Sequence, residues 1–232
     1  MKVLVIDVGG THVKILVTGQ TEKREAVSGP TLSARRMVTA VKRLARDWDY
    51  DVVSIGYPGP VHDHAPVVEP HNLAPGWVKF DYEKAFGCKV HILNDAAMQA
   101  LGSDKGGRML FLGLGTGLGS AMVVDGIVDP LELAHLPYKS GKTFEDYVGL
   151  RGLQRLGKQK WRKAVLDVTA RLQHAMQADY VVLGGGNAKK MKEVPEGVEL
   201  GSNANAFIGG YRMWDQRYGV GKRRPLRAPT QA

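Results

Sequence analysis

A strand, a glycine turn and a second strand occur twice in this sequence. They appear first as IDVGGTHVKILV (6–17) and again as FLGLGTGLGSAMVV (111–124). A repeat of this kind narrows the possible folds sharply. It predicts a duplicated α/β chain whose two halves each open on a glycine-turned hairpin and face each other across a cleft. The halves divide at Gly106-Gly107, giving 1–106 and 107–232.

The pattern around each hairpin fills in the halves. Alternating β-branched residues predict strands at 1–8, 12–18 and 23–28. Residues 33–48 carry Met37, Val38, Val41, Leu44, Ala45 and Trp48 at helical spacing, with Ser33 as N-cap. An apolar strand at 52–57 runs into Pro58-Gly59-Pro60. The Pro-, His- and Asn-rich stretch 58–78 is expected to be a long loop, and loops of that length are usually functional. A strand at 90–93 leads into a helix at Asn94-Asp95. The second half has strands at 109–114 and 119–124, a hairpin signal at Asp125-Gly126, an amphipathic helix at 158–177 and a strand at 180–183. Gly184, Gly185 and Gly186 end that strand. A last helix at 203–218 is expected to pack back on the first half, ahead of a basic tail from Gly219.

Glycine turns at strand ends suit phosphate, because a residue without Cβ lets N–H groups point at the oxygens. The first turn supplies Gly9 and Gly10, the hydroxyl of Thr11 and the cation Lys14. It also has Asp7, a carboxylate suited to Mg2+ directly or through water. The second supplies Gly115, Thr116 and Gly117. Rival phosphate motifs fail on spacing. Gly141-Lys142-Thr143 would end a Walker A loop, but Leu136 stands where its first glycine belongs. A dinucleotide fingerprint starting at Gly113 meets Leu118 instead of glycine. Asp95, at a strand end that opens a helix, is either an ordinary helix-start residue or a rigidly placed base.

The motifs IDVGGTHVK, GYPGPV, NLAPGW, LNDA, GLGTGLGSAMV, ELAH and VVLGGGN occur in the order found in the ROK (repressor, open reading frame, kinase) family. The chain resembles that family from Val3 to about Trp214. The stretch FEDYVG, the long basic helix and GGGNAKK look most like its bacterial polyphosphate glucokinases. The resemblance implies a duplicated actin/hexokinase-like (ribonuclease H-like) ATPase fold with two lobes around a cleft. It also implies a glucokinase acting on the 6-hydroxyl of glucose, with ATP and/or inorganic polyphosphate as donor and Mg2+ as cofactor. Asp95 would then be the catalytic base. Asn72, Asn94, Glu132 and His135 would bind the sugar, the last two sharing one face if their segment is helical. Glu145 is the expected further acceptor, with Asp146 its rival. Gly184, Gly185, Gly186 and Asn187 match the nucleotide-side motif. Ala134 replaces the family's usual glycine between Glu132 and His135. A kinase for mannose, glucosamine or fructose, or a sugar-binding regulator without activity, remains the alternative. The regulators carry a helix-turn-helix ahead of the first strand, and here a strand is expected from Lys2.

Composition bears on partners. With one cysteine, Cys88, neither an internal disulfide framework nor the family's Cys-rich zinc motif is expected. No leader or membrane span is expected, which fits a cytoplasmic protein, and the family habit is a homodimer. The net charge of +9 is unevenly spread. Residues 1–150 hold 16 Lys+Arg against 17 Asp+Glu, and residues 151–232 hold 16 against 6. This points to a polyanionic partner or a solvated basic face. Ten cations in 151–192, including Lys158, Lys160, Arg162, Lys163, Lys189, Lys190 and Lys192, would guide polyphosphate to the glycine turns, with no specific nucleic acid partner expected.

Overall fold

The computed structural model describes residues 1–221. Two sheets carry the chain, and they are built to one plan. In the first, β1 (Val3–Val8), β2 (His12–Val17) and β3 (Arg24–Val27) form an antiparallel meander. β4 (Val52–Tyr57) adds parallel to β1, and β7 (Val90–Asn94) parallel to β4. In the second, β8 (Arg108–Leu114), β9 (Leu118–Val124) and β10 (Ile127–Leu131) form the meander. β11 (Tyr180–Gly184) adds parallel to β8, and β12 (Val198–Leu200) parallel to β11. The strand order is the same in both sheets, so the repeat in the sequence is a repeat of topology. β13 (Gly219–Val220) extends the second sheet beside β10, although the stretch from Gly219 is expected from sequence to be a tail. Residues 222–232 of that expected tail lie outside the described residues. A short hairpin, β5 (Val61–His62) and β6 (Ala65–Pro66), interrupts the long loop.

Helices cover the sheets. α1 (Ala34–Leu44) starts at Ser33, whose hydroxyl accepts the Arg36 N–H, and buries Met37, Val38 and Val41. It ends four residues before Trp48, which packs in the core under the Arg24 guanidinium. α2 (Tyr82–Phe86) is too short for a periodic signal. α3 (Asp95–Ser103) follows β7 directly. α4 (Phe144–Val148) begins on a Thr143–Asp146 capping box. α5 (Leu150–Met176) runs past a kink at Gly157, where φ is 72°, so the helix expected at 158–177 gains about two turns ahead of the kink.

The final helix, α6 (Asn205–Arg212), is shorter than the expected 203–218 and crosses to the first sheet. A Cβ on Gly102 of α3 would lie 1.8 Å from the Asn205 carbonyl oxygen, and one on Gly209 1.8 Å from that of Met98. The two helices therefore touch backbone to backbone. Ser54 of β4 donates to the Gly210 carbonyl at 2.6 Å and accepts the Trp214 indole N–H at 2.8 Å. The core between the sheets includes Val5, Met98, Leu101, Phe111, Val123 and Phe207. It holds α3 and α6 against residues from both sheets.

Candidate active site

The cleft between the two hairpin turns has a volume of about 530 Å³. The first turn is held by Gly9, whose N–H bonds the His12 carbonyl at 3.0 Å, and by Ser28, whose hydroxyl donates to the Gly9 carbonyl at 2.6 Å. Gly10 has open space where a Cβ would be. Both turn glycines line the cleft, and so do Asp7 and Lys14, which are cross-strand partners in β1 and β2. The Thr11 hydroxyl instead lies within 3.2 Å of His12 Nδ1, and Thr11 is not among the residues lining the cleft.

The second turn copies the first without its charges. Gly113 stands two residues before Gly115, as Asp7 stands before Gly9, and it faces Gly119 across the ladder. Gly115, Thr116 and Gly117 line the cleft. The carboxylate is thus confined to one half.

Two aspartates share the cleft. Burial pushes the Asp95 carboxyl up to about 7, and the charge of Asp7 adds to this. Burial also raises Asp7, with Lys14 and Lys23 opposing the rise. Asp95 Oδ1 accepts its neighbour Ala96's N–H at 2.8 Å. An acid held near neutrality can take up a proton in working conditions. Asn94 is the true helix cap. Its Oδ1 accepts the N–H groups of Ala96 and Ala97, both at 3.1 Å, and its Nδ2 donates to the Gly59 carbonyl at 3.2 Å. With its polar atoms used inside the protein, Asn94 orients the strand end and stays off the cleft lining, unlike the sugar contact expected for it.

Glu132, His135, Asn72 and Glu145 line the same cleft. The 132–135 segment is a turn and not the helix that would have aligned the pair, yet His135 Nε2 still lies 3.9 Å from Glu132 Oε1. Glu145 and Asp146 separate by their positions on α4. Asp146 closes the capping box with Thr143. Glu145 instead turns inward, where Oε2 accepts the Leu118 N–H at 3.3 Å and would lie 2.2 Å from a Cβ on Gly117.

The three glycines at the end of β11 have different jobs. A Cβ on Gly184 would strike the Phe111 ring at 2.3 Å. Gly185 has φ +79°, and a Cβ there would lie 2.7 Å from the Leu114 carbonyl oxygen. Gly186 alone has open space. Asn187 is buried and points into the protein, with Nδ2 donating to the Gly115 carbonyl at 3.0 Å and Oδ1 accepting from Lys190. The nucleotide-side motif is in this way tied to the second glycine turn. Gly185 and Gly186 reach the cleft, whereas Gly184 and Asn187 lie behind it.

Further residues were not apparent from the motifs. Gln99, one turn along α3 from Asp95, and Asn203, ahead of α6, both line the cleft. Helical spacing from Asp95 could have flagged Gln99. Glu69 accepts the backbone N–H groups of Gly76, Trp77 and Val78 at 3.0, 3.0 and 3.2 Å, and so clamps the loop that carries Asn72. None of the ten cations of 151–192 lines the cleft. Lys14 is its one lysine or arginine among the described residues.

A buried pair of carboxyl groups in which the charge of one raises the other suits a cation. Mg2+ is commonly held by one or two carboxylates with water and phosphate completing its shell, so Asp7, with Asp95 nearby, fits that ion. Among the described residues no helix is long and apolar enough to cross a membrane.

A ROK family model matches residues 3–129, more than half of the chain. Polyphosphate glucokinase from Mycobacterium tuberculosis is 26% identical over 207 residues, covering 80% of this chain and 77% of that protein. The inorganic polyphosphate/ATP-glucomannokinase from Arthrobacter sp. strain KM superposes with a TM-score of 0.76 at 20% identity, covering 90% of this chain and 96% of that one. The ROK family glucokinase from Streptomyces griseus, solved with glucose and AMPPNP, gives 0.68 at 17% identity over 90% and 98%. The likeness establishes the actin/hexokinase-like fold.

Proposed function

The chain belongs to the ROK family, and from that premise we propose that it is a sugar kinase transferring a phosphoryl group from inorganic polyphosphate or ATP to the 6-hydroxyl of glucose. The observation that carries the reading is the meeting in one cleft of Asp95, raised to about 7, with both glycine turns and with Asn72, Glu132, His135 and Glu145. Asp95 accepts the proton of the sugar hydroxyl as its oxygen bonds to phosphorus. The bond from phosphorus to the donor's bridging oxygen breaks, and the shortened donor keeps that electron pair. The carboxylates and imidazole of the sugar side accept and donate to the ring hydroxyls, each of which does both. Asp7 would hold Mg2+, which when bound would neutralise charge on the donor phosphates. Backbone N–H groups at Gly10 and Gly117, with Thr116 and Lys14 beside them, hold the phosphates, while Gly9 and Gly115 use their N–H groups to close the turns. Gly185 and Gly186 give a nucleotide a surface to lie against, and Gly184 and Asn187 shape it from behind.

The test is a coupled assay with glucose, Mg2+ and either ATP or long-chain polyphosphate, repeated with mannose, glucosamine and fructose. Turnover of glucose above the other sugars is expected. No turnover on any hexose with either donor overturns the reading. The match to a polyphosphate glucokinase over most of both chains and the basic excess of the second half support polyphosphate as a donor. Initial rates at matched glucose decide between the two.

A further inference from the structure

The cations that miss the cleft collect elsewhere. A second, smaller pocket of about 190 Å³ lies on the α4–α5 face, walled by Tyr138, Tyr147 and Leu156 and rimmed by Lys139, Lys160 and Lys163. Lys160 and Lys163 are exposed and have no ion-pair partner among the described residues. The nearby acid, Asp167, is already spent. Its Oδ2 accepts from the Tyr138 hydroxyl, from Lys139 at 3.2 Å and from Arg171 at 3.2 Å.

A chain of contacts joins this pocket to the cleft. Glu145 lines the cleft and accepts from Arg151 at 3.1 Å. Arg151 also approaches Asp146 at 3.8 Å. Arg155 donates to the Asp146 carbonyl at 2.7 Å, and its guanidinium sits 4.8 Å from the Tyr147 ring, a wall of the pocket. Arg151 and Arg155 thus link the cleft wall at Glu145 to the pocket wall at Tyr147.

The aromatic rings narrow the choice of polyanion. Arg155 covers Tyr147. Lys139 lies 4.6 Å from the Tyr138 ring and Arg171 5.8 Å, while Tyr147 meets its edge at 4.8 Å. Single-stranded nucleic acid binds by stacking its bases on open aromatic faces, and here cations occupy them. A polyanion without bases fits what remains. Low-dielectric walls beside unpaired cations also concentrate the positive field.

We propose that this pocket is a second contact for inorganic polyphosphate, gripping the chain away from the phosphoryl group being transferred. The proposal rests on the reading of the cleft as a polyphosphate-using site. It gives long chains an advantage that short ones cannot share.

The test is equilibrium binding of long-chain polyphosphate, tripolyphosphate and an oligothymidylate of matched charge to the wild type and to the double variant Lys160→Gln/Lys163→Gln, over a range of salt. Thermal unfolding checks that the variant is folded. Loss of two cation contacts should lower the slope of log affinity against log salt by about 1.4 and weaken long-chain binding by about 10–30-fold near 0.1 M salt. Tripolyphosphate and ATP binding should not change. Unchanged long-chain affinity and slope overturn the proposal, as does an equal loss for oligothymidylate, which would make the patch a general polyanion surface. Because binding is read without turnover, the two readings fail separately. A wild type that needs Lys160 and Lys163 to hold long chains but phosphorylates no hexose keeps this site and loses the kinase.

Discussion

Replacing Asp95 with Asn should make the protein more stable as it removes turnover. In the folded state the Asp95 carboxyl is pushed from its ordinary 3.8 up to about 7, by burial first and the charge of Asp7 second. Holding that group ionised in the cleft would cost up to about 4 kcal/mol. The cleft is open to water, so a recovery of about 1–3 kcal/mol is the expected gain from the neutral amide. The sign follows from the two states. Below about pH 4 both folded and unfolded chains carry the proton, and the acid costs nothing. Between about pH 4 and pH 7 the unfolded chain has lost the proton and the folded one keeps it, so native stability falls as pH rises. Above about pH 7 the cost is constant. Asn retains the shape and an oxygen that can still accept the Ala96 N–H, now at 2.8 Å. Denaturant unfolding of both proteins without sugar or Mg2+, from about pH 5 to about pH 8, should show the variant's advantage widening up to about pH 7 and then levelling. An advantage that does not vary with pH, or none at about pH 8, refutes the electrostatic account of the site. Adding Asp7→Asn should give less than the sum of the two single effects, since the charge of Asp7 is part of the cost of ionising Asp95.

Other outcomes follow from the same geometry. The rate at limiting sugar should fall as pH drops below about 7, because the base must be ionised to accept a proton; a flat profile between about pH 5 and 8 removes Asp95 from that role. Glu69→Ala frees three backbone N–H groups of the loop carrying Asn72. It should raise the KM for glucose about three- to tenfold with a smaller change in kcat, and Glu69→Gln should restore part of it. Gly185→Ala forces a side chain into a left-handed backbone beside Leu114 and should destabilise the protein by about 1–3 kcal/mol, read as a lower Tm.

The two hairpins were legible because their causes are local. Alternation of β-branched residues marks β1, β2, β8 and β9, glycines mark the turns, and the repetition of that unit announces two halves. Short elements such as α2 and β12 were not, because three to five residues carry no period and depend on the neighbours they pack against. The long helix was foreseen only beyond Gly157, since its first part belongs to the packing of α4 and α5. Among the site residues, Asp7 and Asp95 could be picked out by motif. The neighbour that raises Asp95 could not, because the two acids are 88 positions apart and meet only when β1 and β7 flank β4 in the first sheet. Asn94 and Asn187 have the same amide as Asn72, yet their hydrogen bonds turn them into the protein. The pair Glu145 and Asp146 is ambiguous in sequence. The capping box claims one and the glycine turn the other. Residue order alone therefore showed the duplicated hairpin unit, which follows from periodicity and spacing, while the candidate sugar-binding positions came from the resemblance of its motifs to the family. Only the tertiary structure decided which side chains face the cleft and that the basic helix leads away from it. Those facts depend on the angle at which each helix meets its sheet and on which polar atoms the fold has already used.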